Sequence, residues 1–178
     1  MSESKVPTHT ALWNQLTRLQ LEPDEVARRA DLELVMVQEL ETDDSIEGGW
    51  ALAEVKRLAE VLRVSLLDVL QVDCAYCGMH DKALIESGAF PRDALIKTRR
   101  AERGMSKDEL FARAGWSEWF DDHRDEKWAQ AMMCEYEAIE DGPDRVDELC
   151  FADVRTLAEV LRLPLHLLLG VRCPACGR

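Results

Sequence analysis

Two Cys-x-x-Cys-Gly turns carry the strongest chemical signal in this 178-residue chain: Cys74-Ala75-Tyr76-Cys77-Gly78 and Cys173-Pro174-Ala175-Cys176-Gly177. Each turn sets two thiolates on one side of a tight knuckle, and two knuckles supply the four sulfurs of a tetrahedral zinc site. With Cys74, Cys77, Cys173 and Cys176 all bound, Zn2+ is expected to be structural, because no position stays open for water or substrate. A redox pair is the main rival. Reactive pairs draw a lowered thiol pKa from a helix N-terminus, whereas Cys176 stands two residues from Arg178. Surface thiols, or a metal shared between chains, complete the alternatives. Cys134 and Cys150 fall at apolar positions beside helical segments and read as inert core residues.

Little else in the chain suggests chemistry. No Ser/His/Asp arrangement, phosphate-cradling Gly loop or His-Glu-x-x-His stretch is found, so no enzymatic activity is expected. Asp121, Asp122, His123, Asp125 and Glu126 are metal-capable groups, but a charged stretch of this kind is more often a solvated helix or loop. Trp116, Trp119, Phe120 and Trp128 crowd the same region. They read as core anchors, or, where exposed, as a protein-docking surface.

The 95 residues between the cysteine pairs are far too many for a single zinc finger. An internal repeat removes that objection. Arg57-Leu-Ala-Glu-Val-Leu-Arg-Val-Ser-Leu66 aligns with Thr156-Leu-Ala-Glu-Val-Leu-Arg-Leu-Pro-Leu165 at seven of ten positions, an offset of 99 that also superposes the two cysteine turns. Upstream the offset is 84, where Asp24-Glu25-Val26-Ala27-Arg28-Arg29-Ala30 lies over Asp108-Glu109-Leu110-Phe111-Ala112-Arg113-Ala114. The second copy therefore holds 15 extra residues, within about 118–134. The chain reads as a first unit (1–78), a linker (79–92) and a second unit (93–178), and equivalent ends of the two units can bring their knuckles together at a shared axis.

Each unit is predicted to be a string of short helices. Pro23 suits a first helical turn, with Asp24 and Glu25 favoured at the positive end of the helix dipole. Ser106 and Glu109 fit a capping box, and Gly104 just before it suits the end of the preceding helix. The sets Ala51, Val55, Leu58, Ala59, Leu62 and Val154, Leu157, Ala158, Leu161 form apolar stripes at helical spacing. A short last helix is expected over 66–70 and 165–169, and no segment alternates with period two.

Composition bounds the class. Lys and Arg number 22 against 35 Asp and Glu, a net charge of −13, with 47% hydrophobic residues. That is a globular chain with enough apolar surface for a core. Neither a secretory leader nor a membrane span is expected, which makes a reducing cytoplasm the expected location and metal the expected use of clustered cysteines. The net charge opposes binding to any polyanion through the overall field.

The repeat resembles the phage repressor and Cro (Xre-type) helix-turn-helix domain. The second copy carries the likeness in Arg103-Gly104-Met105-Ser106, Glu109-Leu110-Phe111-Ala112-Arg113-Ala114-Gly115-Trp116-Ser117, Ile139-Glu140-Asp141-Gly142 and Leu157-Ala158-Glu159-Val160-Leu161. The first copy keeps Glu25-Val26-Ala27 and Leu40-Glu41, but has Asp31 and Gln20 where the second has Gly115 and Gly104. The resemblance implies an all-α fold of two five-helix bundles, with each third helix offered to a DNA major groove. Two copies in one chain imply a monomeric pseudo-dimer; a homodimer is the other arrangement.

That resemblance gives a first function, a transcriptional regulator binding double-stranded DNA. Lys97, Arg99, Arg100 and Arg103, with Arg92 nearby, would hold phosphates, and Gln38 is the one natural groove reader on the first third helix. Around it stand Glu33, Leu34, Val35 and Met36, and the corresponding second-copy positions include Glu118, Trp119, Phe120 and Glu137. Carboxylates there repel phosphate. Residues 12–72 carry 6 basic against 13 acidic groups, and 95–171 carry 11 against 17, so neither unit is net basic. The alternative is a protein-interaction module that keeps the fold, does not bind DNA, and docks a partner through Leu34, Val35, Met36, Trp119 or Phe120.

Overall fold

The computed structural model describes residues 8–42, 46–66, 70, 92–116, 134, 136, 138–140 and 145–170. Among these the chain is all-α. Its first half holds α1 (Thr8–Arg18), α2 (Pro23–Ala30), α3 (Leu34–Glu39), α4 (Ile46–Gly49) and α5 (Leu52–Val61). The second holds α6 (Arg92–Glu102), α7 (Lys107–Arg113), a 3-10 turn (Ala138–Glu140), α8 (Arg145–Glu148), α9 (Phe151–Leu161) and α10 (Leu165–Leu169). The described residues contain no strand, only a single antiparallel bridge between Ala51 and Cys150. No helix among them is long and apolar enough to cross a membrane.

Local chemistry accounts for the helix ends. α2 starts with Pro23, which fixes φ and has no N–H to leave unpaired, and carries Asp24 and Glu25 in its first turn and Arg28 and Arg29 in its last. Ser106 caps α7 by accepting from the Glu109 N–H at 3.1 Å. α5 begins where the Glu54 carboxylate accepts from the Ala51 N–H at 2.8 Å. These contacts satisfy backbone donors that an α-helix leaves unpaired at its start.

Left-handed backbone recurs at the repeat offsets even where residue type does not. Gln20 (φ 55°) and Gly104 (66°) are 84 positions apart, as are Asp31 (53°) and Gly115 (77°), while Arg63 (54°) and Arg162 (51°) are 99 apart. A carbonyl cap recurs too: Gln15 Nε2 donates to the Leu62 carbonyl at 2.8 Å, and Arg99 Nε to the Leu161 carbonyl at 3.1 Å.

The helices enclose one contiguous core that draws on both halves, from Leu12, Val37, Leu52 and Leu58 to Ile96, Leu110, Phe151 and Leu157. Between the halves the packing is reciprocal: α4 lies against α9, and α8 against α5. α4 and α8 are themselves 99 positions apart. At the centre the Leu52 N–H donates to the Leu149 carbonyl at 2.8 Å, and Lys56 pairs with Asp147 at 2.7 Å. Ala51 and Cys150, the bridged pair, are the N-caps of α5 and α9 and again lie 99 apart.

Candidate docking face and basic cluster

α3 is amphipathic in an unusual sense, because both of its sides carry apolar residues. Val37 and, just beyond the helix, Leu40 are 0% and 1% exposed and face the core, whereas Leu34 and Val35 are 43% and 52% exposed. They are the large hydrophobic residues left exposed among the described residues. Met36 is half-buried and packs onto the core, so it gives the outer face only part of its side chain. Gln38 is exposed, and Leu34 and Gln38 share one ridge of the helix as an i, i+4 pair. Val35 and Glu39 form the neighbouring ridge, and Asp31, Glu33 and Glu41 are exposed around them. α3 has no basic residue.

The expected phosphate-holding set divides in two. Arg100 is turned inward: its Nε and Nη2 donate to the two Glu140 carboxylate oxygens at 2.5 and 2.9 Å, and its Nη1 to the Met105 carbonyl at 2.8 Å. The side chains of this pair are 15% and 2% exposed, and the Glu140 carboxylate raises the Arg100 pKa above its ordinary value. Arg99 is half-buried between the Leu161 carbonyl and Glu102, which accepts from its Nη1 at 2.9 Å. Both guanidinium groups hold the bundle together, pinning the end of α6 to the 3-10 turn and to the end of α9.

Lys97 and Arg103 differ from these. Lys97 is exposed on α6. Arg103 follows α6, and partial burial, then Arg162, Arg113 and Arg99, push its pKa below the ordinary arginine value. An arginine stays charged through such a shift, and the Arg103 guanidinium lies close enough to Arg162, Arg113 and Arg99 to feel their charge. Arg113 is paired with Glu109 at 2.6 Å. Arg103 belongs to the basic run legible in the sequence, whereas Arg113 and Arg162 join it only through the fold. The signal available for Arg162 was its repeat partner Arg63, since both stand in the same left-handed position after a helix.

A polar network also escaped the sequence reading. Asp153 in α9 accepts from Trp116 Nε1 at 3.1 Å, Tyr136 Oη at 2.5 Å and Cys150 Sγ at 3.0 Å. Trp116 and Tyr136 stack edge to face with centroids 4.3 Å apart. Burial, with the Asp153 contact, pushes the Cys150 thiol up to about 11, so this half-buried cysteine is a poor nucleophile. Cys134 is exposed, where the sequence reading placed it in the core.

Cys74, Cys77, Cys173 and Cys176 lie outside the described residues, as do Trp119 and Phe120. Among the described residues no group of His, Cys, Asp or Glu is placed to hold a metal. The donor set itself, four thiolates in two Cys-x-x-Cys-Gly turns, is of the kind that binds zinc tetrahedrally. Leu70 and Leu169, equivalent at the 99-residue offset and both buried in the common core, precede Cys74 and Cys173 by four residues each. Compared with family models, with curated proteins and with solved structures, the chain matches none.

Proposed function

We propose that this chain is a cytoplasmic, non-enzymatic regulator in which two repressor-like helix-turn-helix units form an internal pseudo-dimer, and that its first unit docks a protein partner through α3. Support for the pseudo-dimer comes from reciprocal packing of α4 on α9 and α8 on α5, with equivalent residues Ala51 and Cys150 meeting between the halves. Such exchange of equivalent contacts is the signature of an isologous interface. A structural Zn2+ held by Cys74, Cys77, Cys173 and Cys176 would clamp the knuckles of the two units.

The observation that carries the docking reading is the exposure of Leu34 and Val35 on a helix with no cation, in the place where the resemblance calls for groove-reading side chains. Exposed aliphatic residues gain free energy when a partner covers them, and carboxylates beside them repel phosphate. DNA binding is the second reading. Arg103 with Arg113 and Arg162, the exposed Lys97 and the exposed Gln38 favour it.

The test is retention of random duplex DNA by the metal-quantified protein at two salt concentrations, with sequencing of whatever is retained. We expect no enrichment at either salt. A salt-sensitive two-part site, weakened by Lys97→Ala and Arg103→Ala, would install the DNA reading in place of docking. For the metal, about one zinc per chain is expected, lost alike in Cys74→Ser and Cys173→Ser. Full zinc in either variant would remove the shared site.

A further inference from the structure

We infer that the segment docked on α3 is cationic: a short stretch of a partner protein with two or three apolar anchors flanked by Lys or Arg. This rests on the docking reading above and adds to it the partner's chemistry. Leu34 and Val35 are adjacent on one exposed face, and every charged side chain from 31 to 41 is acidic: Asp31, Glu33, Glu39 and Glu41, all exposed. Glu39 lies one turn from Val35 on the same ridge, and Glu33 stands at the N-cap position beside Leu34 with its side chain making no capping bond.

One cation reaches this segment from another element: Arg57 on α5 donates to the Ala30 and Asp31 carbonyls at 2.8 and 3.3 Å, at the Asp31 end of the rim. The basic groups nearest in sequence are paired elsewhere. Arg28 and Arg29 on α2 both donate to Glu25, Arg28 through Nε and Nη2 at 2.8 to 3.0 Å and Arg29 through Nε at 2.6 Å. Over 22–42 the chain carries 7 acidic against 2 basic residues. An interface is an apolar centre inside a polar rim whose charges complement the partner's. Here the centre is Leu34 and Val35 and the rim is anionic.

The same charge disfavours the other occupants. A second copy docked α3 against α3 would set acid against acid, in a molecule of net charge −13. A nucleic acid would bring phosphates to the carboxylates.

The experiment pans a displayed library of random 16-residue peptides on the 178-residue chain as purified, with counter-panning on the Leu34→Ser/Val35→Ser double variant. Both residues are exposed, so the double variant is expected to fold, and its unfolding curve checks this. Peptides enriched on the native protein over the variant should carry apolar anchors among Lys and Arg. Their affinity should fall roughly fivefold to tenfold in Glu33→Gln/Glu39→Gln, which removes two rim charges. It should also weaken from low to high salt. Enriched peptides that need Leu34 and Val35 but are neutral or acidic would overturn the cationic partner and leave the docking face standing. A library that does not distinguish native protein from the double variant would overturn the docking face itself.

Discussion

Arg100 and Glu140 form a bidentate pair whose carboxylate is almost fully enclosed, and losing one partner strands the other charge away from water. Glu140→Ala should therefore cost about 3 kcal/mol of stability or more, read as a fall in the urea midpoint, because an uncompensated buried charge is the expensive case. A loss near that of an exposed pair, below about 1 kcal/mol, would contradict the enclosed geometry. His166 on α10 is 1% exposed, and burial lowers its pKa below the ordinary value. The unfolded chain then binds a proton near pH 6.5 that the folded chain refuses, so the His166 contribution is complete above that pH and shrinks as the pH falls below it. The slope from one such group is at most about 1.4 kcal/mol per pH unit. His166→Leu should flatten the stability change between pH 7.5 and 5.5; an unchanged slope in urea titrations would assign that loss to other groups.

Helices here are ended by backbone conformation more than by residue identity. Gln20 and Asp31 hold the left-handed geometry that Gly104 and Gly115 hold 84 positions later. An L side chain pays about 1–2 kcal/mol in that region, although Asp is tolerated better than most. Gln20→Gly should raise the thermal midpoint by the equivalent of about 1 kcal/mol, less the extra freedom glycine gains in the unfolded chain. Gly104→Ala should lower it, through backbone strain alone, since a Cβ at Gly104 would meet no atom within 4 Å. Equal and negligible shifts in calorimetry would say that these turns relax. The same level explains why α3 rather than α2 is the candidate docking element: the outward side of α2 carries paired Arg28, Arg29 and Glu25, whereas that of α3 leaves Leu34 and Val35 uncovered.

Across the whole molecule, the meeting of Ala51 and Cys150 is the most direct consequence of pairing the two halves. Opposed residues of an antiparallel bridge have Cα atoms within the reach of a disulfide. Ala51→Cys should thus cross-link to Cys150 under a strong thiol oxidant, slowly, because burial raises the Cys150 pKa to about 11. Peptide mapping of a 51–150 disulfide would place equivalent residues in contact; its absence after complete oxidation would break the reciprocal arrangement. A linked chain should unfold at higher denaturant, since closing a loop of this length restricts the unfolded ensemble.

Much of the fold was legible in the residues: helical spacing without period-two alternation, the offsets of 99 and 84, the Pro23 and Ser106 helix starts, and the apolar stripes of α5 and α9, whose members are buried apart from the half-buried Ala51. These depend on neighbours within a few turns, which a linear sequence records. The partition of charges was not legible. Arg99, Arg100, Lys97 and Arg103 look alike along the chain, and only packing separates the first two, held by the Leu161 carbonyl and Glu140, from the second two. Glu140 is 40 residues from Arg100, and Asp153 gathers Trp116, Tyr136 and Cys150 from three segments. The repressor-like pattern already places Leu34, Val35 and Met36 on the outer side of the third helix, and packing then sorted them, leaving Leu34 and Val35 exposed and drawing Met36 partly onto the core. Sequence by itself determined which residues form helices and that the pattern is doubled; tertiary structure decided which charges and apolar groups are enclosed and which stay at the surface, since burial and ion pairing depend on groups that meet only once the chain has folded.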